Sequence, residues 1–140
     1  MLPTNTRILC VDEKDCCQML DFMLNISKPV FEFVGADSAE KALKLAENEK
    51  FDIYLLEYCL PEMSGIELCR RIRKTDADTP ILFFSGIARP ADRDEAMAAG
   101  ATEYLIKPND LDKFAETVER LLHKGLIVSK PVPAINNKVH

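Results

Sequence analysis

An α/β fold, built on a parallel sheet covered by helices on both faces, is predicted by three observations. Short β-type runs alternate with stretches whose apolar residues recur at helical spacing, five of each. The β-type runs are largely continuous apolar stretches, as strands buried on both faces are, rather than strict alternations of apolar and polar residues. With 140 residues, the chain suits one domain with a real core, assembled from right-handed βαβ units.

The elements follow in order. RILCV (Arg7–Val11) is the first strand, and Asp15 to Asn25 is a helix with Cys16, Met19, Leu20 and Met23 on one face. VFEFVG (Val30–Gly35) is the second strand. Ser38 then caps a helix carrying Ala39, Ala42, Leu43 and Ala46 on its apolar side. DIYLL (Asp52–Leu56) is the third strand. Beyond the loop PEMSG, Ile66 to Arg73 is a helix that buries Ile66, Leu68, Cys69 and Ile72 and turns Arg70, Arg71 and Arg73 to solvent.

ILFFS (Ile81–Ser85) is the fourth strand. Pro90 suits the first position of the next helix, and Gly100 the left-handed position after its end. EYLIK (Glu103–Lys107) is the fifth strand. Leu111 to Lys124 is a last amphipathic helix on Leu111, Phe114, Val118, Leu121 and Leu122, closed by Gly125. Residues 1–125 thus form the domain. Residues 126–140, with two prolines and no periodicity, read as a tail or linker.

Composition narrows the function classes. Hydrophobic residues at 47% and charged residues at 29% describe an ordinary globular chain, and a net charge of −5 argues against nucleic-acid binding. No apolar run reaches membrane-spanning length and no signal peptide precedes Arg7, so a cytoplasmic location with no membrane association is expected. The five cysteines form neither a CxxC pair nor a Cys/His cluster, and read as reduced thiols.

In sheets of this kind ligands bind beyond the carboxyl ends of the strands. Strand one ends in Asp12-Glu13, strand three in Glu57, strand four in Ser85-Gly86 and strand five in Lys107-Pro108. Singly these are ordinary: acids cap a helix, a serine sits in a turn, a lysine faces solvent. Glu57 is harder to dismiss, because an acid directly after a buried strand needs a partner. Together, three carboxylates call for a cation, and hard oxygen ligands suit Mg²⁺. A hydroxyl and an ammonium are what a phosphoryl group needs to have its oxygens held.

In that order, ILCVDEKD, LLEYCLPEMSG, ILFFSG and AGATEYLIKP resemble the receiver domain of two-component response regulators, from about Arg7 to Lys124. The resemblance implies a flavodoxin-like, doubly wound five-stranded parallel sheet of order 2-1-3-4-5 with five helices. It implies a signalling module rather than an enzyme, with Mg²⁺ as cofactor held by Asp12, Glu13, the acceptor residue Glu57 and the Cys59 backbone carbonyl. Ser85 would bond the phosphoryl oxygens and Lys107 would pair with them across a Lys107-Pro108 bond that is often cis. Ser85 and Tyr104 would form the switch. Expected partners are a sensor histidine kinase or phosphotransfer protein, and an output domain or protein meeting a face from about Ala91 to Lys124.

The family has aspartate where this chain has Glu57. One extra methylene displaces the carboxylate by roughly 1 Å, enough to cost about a hundredfold in rate. Three readings follow: Glu57 partly imitates a phosphorylated aspartate, or the domain no longer takes phosphate, or Glu57 is still phosphorylated slowly. Two other classes fit less well. A Mg²⁺-dependent phosphohydrolase wants an Asp-x-Asp pair and a cap, and a flavin binder wants small hydroxyl and glycine residues in the first loop, where this chain has DEKDCC.

Overall fold

The computed structural model describes residues 5–26 and 31–129. Five strands, β1 (Thr6–Val11), β2 (Phe31–Ala36), β3 (Ile53–Leu56), β4 (Ile81–Ser85) and β5 (Glu103–Ile106), form one sheet. Its order is β2-β1-β3-β4-β5 and every pairing is parallel. The helices are α1 (Lys14–Asn25), α2 (Ala39–Asn48), α3 (Gly65–Thr75), α4 (Pro90–Ala99) and α5 (Phe114–Ser129), with a 3-10 turn over Leu111–Lys113. The winding therefore reverses between β1 and β3, which opens a crevice at their carboxyl ends.

The period-2 alternation of the strands divides the core into two layers. Leu9, Val11, Tyr54, Leu56, Ile81 and Phe83 face α2, α3 and α4. Ile8, Cys10, Ile53, Leu55, Leu82 and Phe84 face α1 and α5. Phe83 and Phe114 are fully buried on opposite sides, each contributing roughly 2–3 kcal/mol by leaving water. Among the described residues, no helix is long and apolar enough to cross a membrane.

Local signals account for most helix ends. The Ser38 hydroxyl accepts from Lys41 N at 3.2 Å and the Ser64 hydroxyl from Glu67 N at 3.1 Å. Pro90 opens α4, and Gly100 closes it at φ 117°. Four expectations need correction or limit. In α1 the buried residues are Cys17, Leu20 and Leu24, while Met19 is exposed; rotating the face by one residue lets the Cys17 thiol donate to Cys10 O at 3.3 Å. Arg73 turns back from solvent, because Nε donates to Gly100 O at 2.9 Å and a terminal nitrogen to Asp76 O at 3.0 Å. Gly125 does not close α5, which continues to Ser129; a glycine inside a helix costs only about 1 kcal/mol, and the next proline is Pro131. Val30 and the tail from Lys130 to His140 lie outside the described residues.

Candidate functional site

Parallel pairing carries the strand ends to one edge. Glu57 N donates to Val11 O at 3.0 Å and Lys107 N to Ser85 O at 2.8 Å, so the backbones of β1 and β3, and of β4 and β5, stay paired up to the site residues. Asp12, Glu57, Ser85 and Lys107 line one open cleft of about 830 Å³ together with Glu13 and Cys59. A larger groove, about 950 Å³, lies between the carboxyl ends of α2 and α3 at the other end of the sheet and contains none of them. The chemistry is concentrated in the smaller cleft.

Glu57 is the hub. Its Oε2 accepts from Tyr58 N at 2.6 Å, from Cys59 N at 3.1 Å and from the Ser85 hydroxyl. Its Oε1 accepts from Lys107 Nζ at 3.0 Å, and the same ammonium donates to Asp12 Oδ2 at 2.6 Å. Asp12 Oδ1 accepts from Glu13 N at 2.7 Å. Both carboxylates are largely shielded, with side chains 14% and 9% exposed, and charge-assisted bonds are strong in such surroundings. Burial alone would lower the pKa of the Lys107 ammonium. The carboxylates of Asp12 and Glu57 outweigh burial and hold it above the ordinary lysine range.

The loop after β3 is fixed from α3. Gly65 N donates to Tyr58 O at 2.8 Å, and a Cβ at Gly65 would meet Glu57 O at 2.1 Å, so only glycine admits this approach. Ser85, fully buried, also accepts from Ile87 N at 3.1 Å, combining the turn role with the contact to Glu57. Tyr104 is buried, stacks on Phe83 with centroids 5.6 Å apart, and donates to Ile87 O at 2.6 Å. Lys107-Pro108 is cis.

The donor types suit a hard cation, but their arrangement does not. Each oxygen of Asp12 and Glu57 already accepts from a protein donor, and the Lys107 ammonium stands between the two carboxylates. Glu13, exposed, occupies the position before α1 with no capping bond from its side chain. Among the described residues, no group of three or more His, Cys, Asp or Glu is arranged to hold a metal.

Two features were not anticipated from sequence. Tyr58 reaches α4, its hydroxyl lying 3.1 Å from Glu95 Oε1 and 3.3 Å from Asp92 Oδ1; burial and these two carboxylates push the phenol up to about 12. Cys16 lies beside the cleft, where burial, reinforced by the Asp12 carboxylate, pushes its thiol up to about 12. An aromatic directly after the acceptor position was the available signal for Tyr58. Nothing in the local pattern marked Cys16.

Comparisons with known proteins agree with this geometry. A family model described as the response regulator receiver domain matches residues 8–119. The alkaline phosphatase synthesis transcriptional regulatory protein PhoP of Bacillus subtilis is 30% identical over 125 residues, 89% of this chain and 52% of that protein. The cell cycle response regulator CtrA of Brucella ovis is 30% identical over 118 residues, 84% of this chain and 50% of that protein. The chain thus spans about half the length of these curated relatives. Among solved structures, a two-component response regulator from Clostridium difficile is 29% identical with a TM-score of 0.77, covering 85% of this chain and 97% of that one. A CheY-like response regulator receiver domain protein from Methanospirillum hungatei JF-1 is 26% identical with a TM-score of 0.79, covering 87% and 97%. With the sheet order and the strand-end residues in place, the chain belongs to the family of response regulator receiver domains.

Proposed function

We propose that this chain is a receiver-type module of a two-component phosphorelay in which Glu57 stands at the acceptor position, impairing phosphorylation and partly imitating its product. One observation carries the reading. The Ser85 hydroxyl, the Lys107 ammonium and the N–H groups of Tyr58 and Cys59 all donate to the Glu57 carboxylate. Donors of that kind, converging from several strand ends, suit the oxygens of a phosphoryl group. Glu57 occupies them without one.

The imitation is partial on charge grounds. A carboxylate carries −1, whereas a phosphoryl group carries roughly −2 and offers three acceptor oxygens. Ser85 turned toward Glu57, with Tyr104 packed inward against Phe83, supports a switch biased toward the phosphorylated arrangement. Mg²⁺, which receiver domains generally bind for phosphorylation, would meet Asp12, Glu13, Glu57 and the Cys59 carbonyl here only if Lys107 moved aside, so its binding is weakened. Partners in this reading are a sensor histidine kinase or phosphotransfer protein, and an output domain or protein on the face from Ala91 to Lys124.

The test is intact mass after incubation with Mg²⁺ and phosphoramidate, beside a Glu57→Asp variant. The expected result is that only the aspartate variant gains one phosphoryl group. A gain in the unmodified protein that Glu57→Gln abolishes would make Glu57 a working, slower acceptor and overturn the reading.

A further inference from the structure

We infer that Tyr58 is a positioning residue that ties the state of the acceptor carboxylate to α4, separately from Ser85 and Tyr104. The inference rests on Glu57 as the occupant of the phosphoryl position and adds the route by which helix α4 senses it. Tyr58 touches both ends of that route. Its backbone N–H donates to Glu57 Oε2 at 2.6 Å, and its hydroxyl lies within hydrogen-bond reach of Glu95 and Asp92 on α4. Tyr104, by contrast, donates its hydroxyl to Ile87 O at 2.6 Å, in the loop before α4.

The surroundings make the link stiff at one end and adjustable at the other. Gly65 N holds Tyr58 O at 2.8 Å, and α3 packs so close that a Cβ at Gly65 would strike Glu57 O. Residues 57 and 58 therefore shift together. At the far end, Asp92 has a side chain only 8% exposed and is gripped by Arg89 at 2.7 and 3.1 Å, while Glu95 faces Arg70 at 3.8 Å. Two charge-compensated carboxylates, one helical turn apart, thus face a phenol with a single hydrogen to give. Donation to Glu95 or to Asp92 defines two hydrogen-bonded settings of α4.

Helix α4 is suited to respond. The residues it buries are Asp92, Ala96 and Ala99, so no large apolar side chain pins it to the sheet, and Met97 is exposed. In a helix held by so little apolar burial, polar links carry a large share of the positioning.

Amide hydrogen exchange over residues 87–99 tests this in four proteins: unmodified, Glu57→Gln, Tyr58→Phe and the double variant, each corrected for global stability from its denaturant midpoint. Glu57→Gln is expected to speed exchange in α4 by about tenfold, the effect of losing one hydrogen bond to a charged partner. In the Tyr58→Phe background the same substitution should change α4 exchange by less than about twofold, the sign that the two residues act through one link. Glu95→Gln, on α4 itself, should diminish the response in the same way. An α4 response of equal size with and without the Tyr58 hydroxyl overturns the inference and leaves the Glu57 reading standing, provided the Ile87 amide still responds to Glu57→Gln. No response at Ile87 or in α4 overturns both.

Discussion

Lys107 Nζ stands 3.0 Å from Glu57 Oε1, an ion pair that joins the end of β5 to the end of β3 and, through Asp12 at 2.6 Å, to β1. Three strands meet on one ammonium. The Glu57 carboxylate also accepts from the Ser85 hydroxyl and from the N–H groups of Tyr58 and Cys59, so one side chain gathers donors from three strand ends.

Removing the ammonium should therefore be expensive. Lys107→Met leaves Asp12 and Glu57 as buried carboxylates facing each other, and we expect a loss of about 3–5 kcal/mol. Urea denaturation measures it. A loss within experimental error of a surface control such as Lys44→Met would mean that the pair does not bind the strands together.

Gly65→Ala is expected to destabilise by about 1–3 kcal/mol, since the methyl group has no room beside Glu57 O and Phe83. In a Glu57→Asp background it should also slow phosphoryl uptake, by displacing the acceptor loop. Uptake unchanged at lowered stability would show that the loop tolerates the shift.

Ser64→Ala removes the cap that holds Glu67 N at the start of α3, at a cost of about 1 kcal/mol. The matched change Ser38→Ala in α2 should cost a similar amount, because each hydroxyl accepts from the N–H three residues on at nearly the same distance. Melting temperatures of the two variants test this together; a cap loss confined to one helix would contradict it.

Asp76 supplies a pH dependence. Burial pushes its carboxyl up, but bonds from Thr79 and from Asp78 N, with Arg73 nearby, outweigh burial and lower its pKa below the usual aspartate value. A lowered folded-state pKa means that the stability this carboxylate contributes is fully present above the unfolded value of about 3.9 and is lost as pH falls through the folded value. The stability gap between the unmodified protein and Asp76→Ala should be flat from neutral pH down to about 4 and narrow below it. A gap that widens on acidification would contradict this assignment.

The strands, and the convergence of Asp12, Glu57, Ser85 and Lys107 at one edge of the sheet, were legible because the physics behind them is local or periodic. A short apolar, aromatic-rich run such as ILFFS suits a doubly covered strand, and an acid placed directly after IYLL needs a partner. The rest depended on packing. Whether Cys16 or Cys17 faces the sheet is a rotation of one residue, and it is Cys17 that is buried there, its thiol donating to Cys10 O. Helical spacing turns Arg73 to solvent, but its carbonyl partner, Gly100, is 27 residues away in sequence and draws it back. The contacts of Tyr58 are equally remote in sequence: its partners Asp92 and Glu95 come to it through the packing of α3 and α4 on one face of the sheet.

In the proposed function Glu57 occupies the place of a phosphoryl group. Backbone amide chemical shifts over residues 85–107 test it most directly, recorded for the unmodified protein and for Glu57→Asp with and without Mg²⁺ and beryllofluoride. The unmodified protein is expected to lie between the two aspartate states, displaced toward the beryllofluoride form at Ser85, Ile87 and Tyr104. Shifts that coincide with the beryllofluoride-free aspartate variant would contradict it.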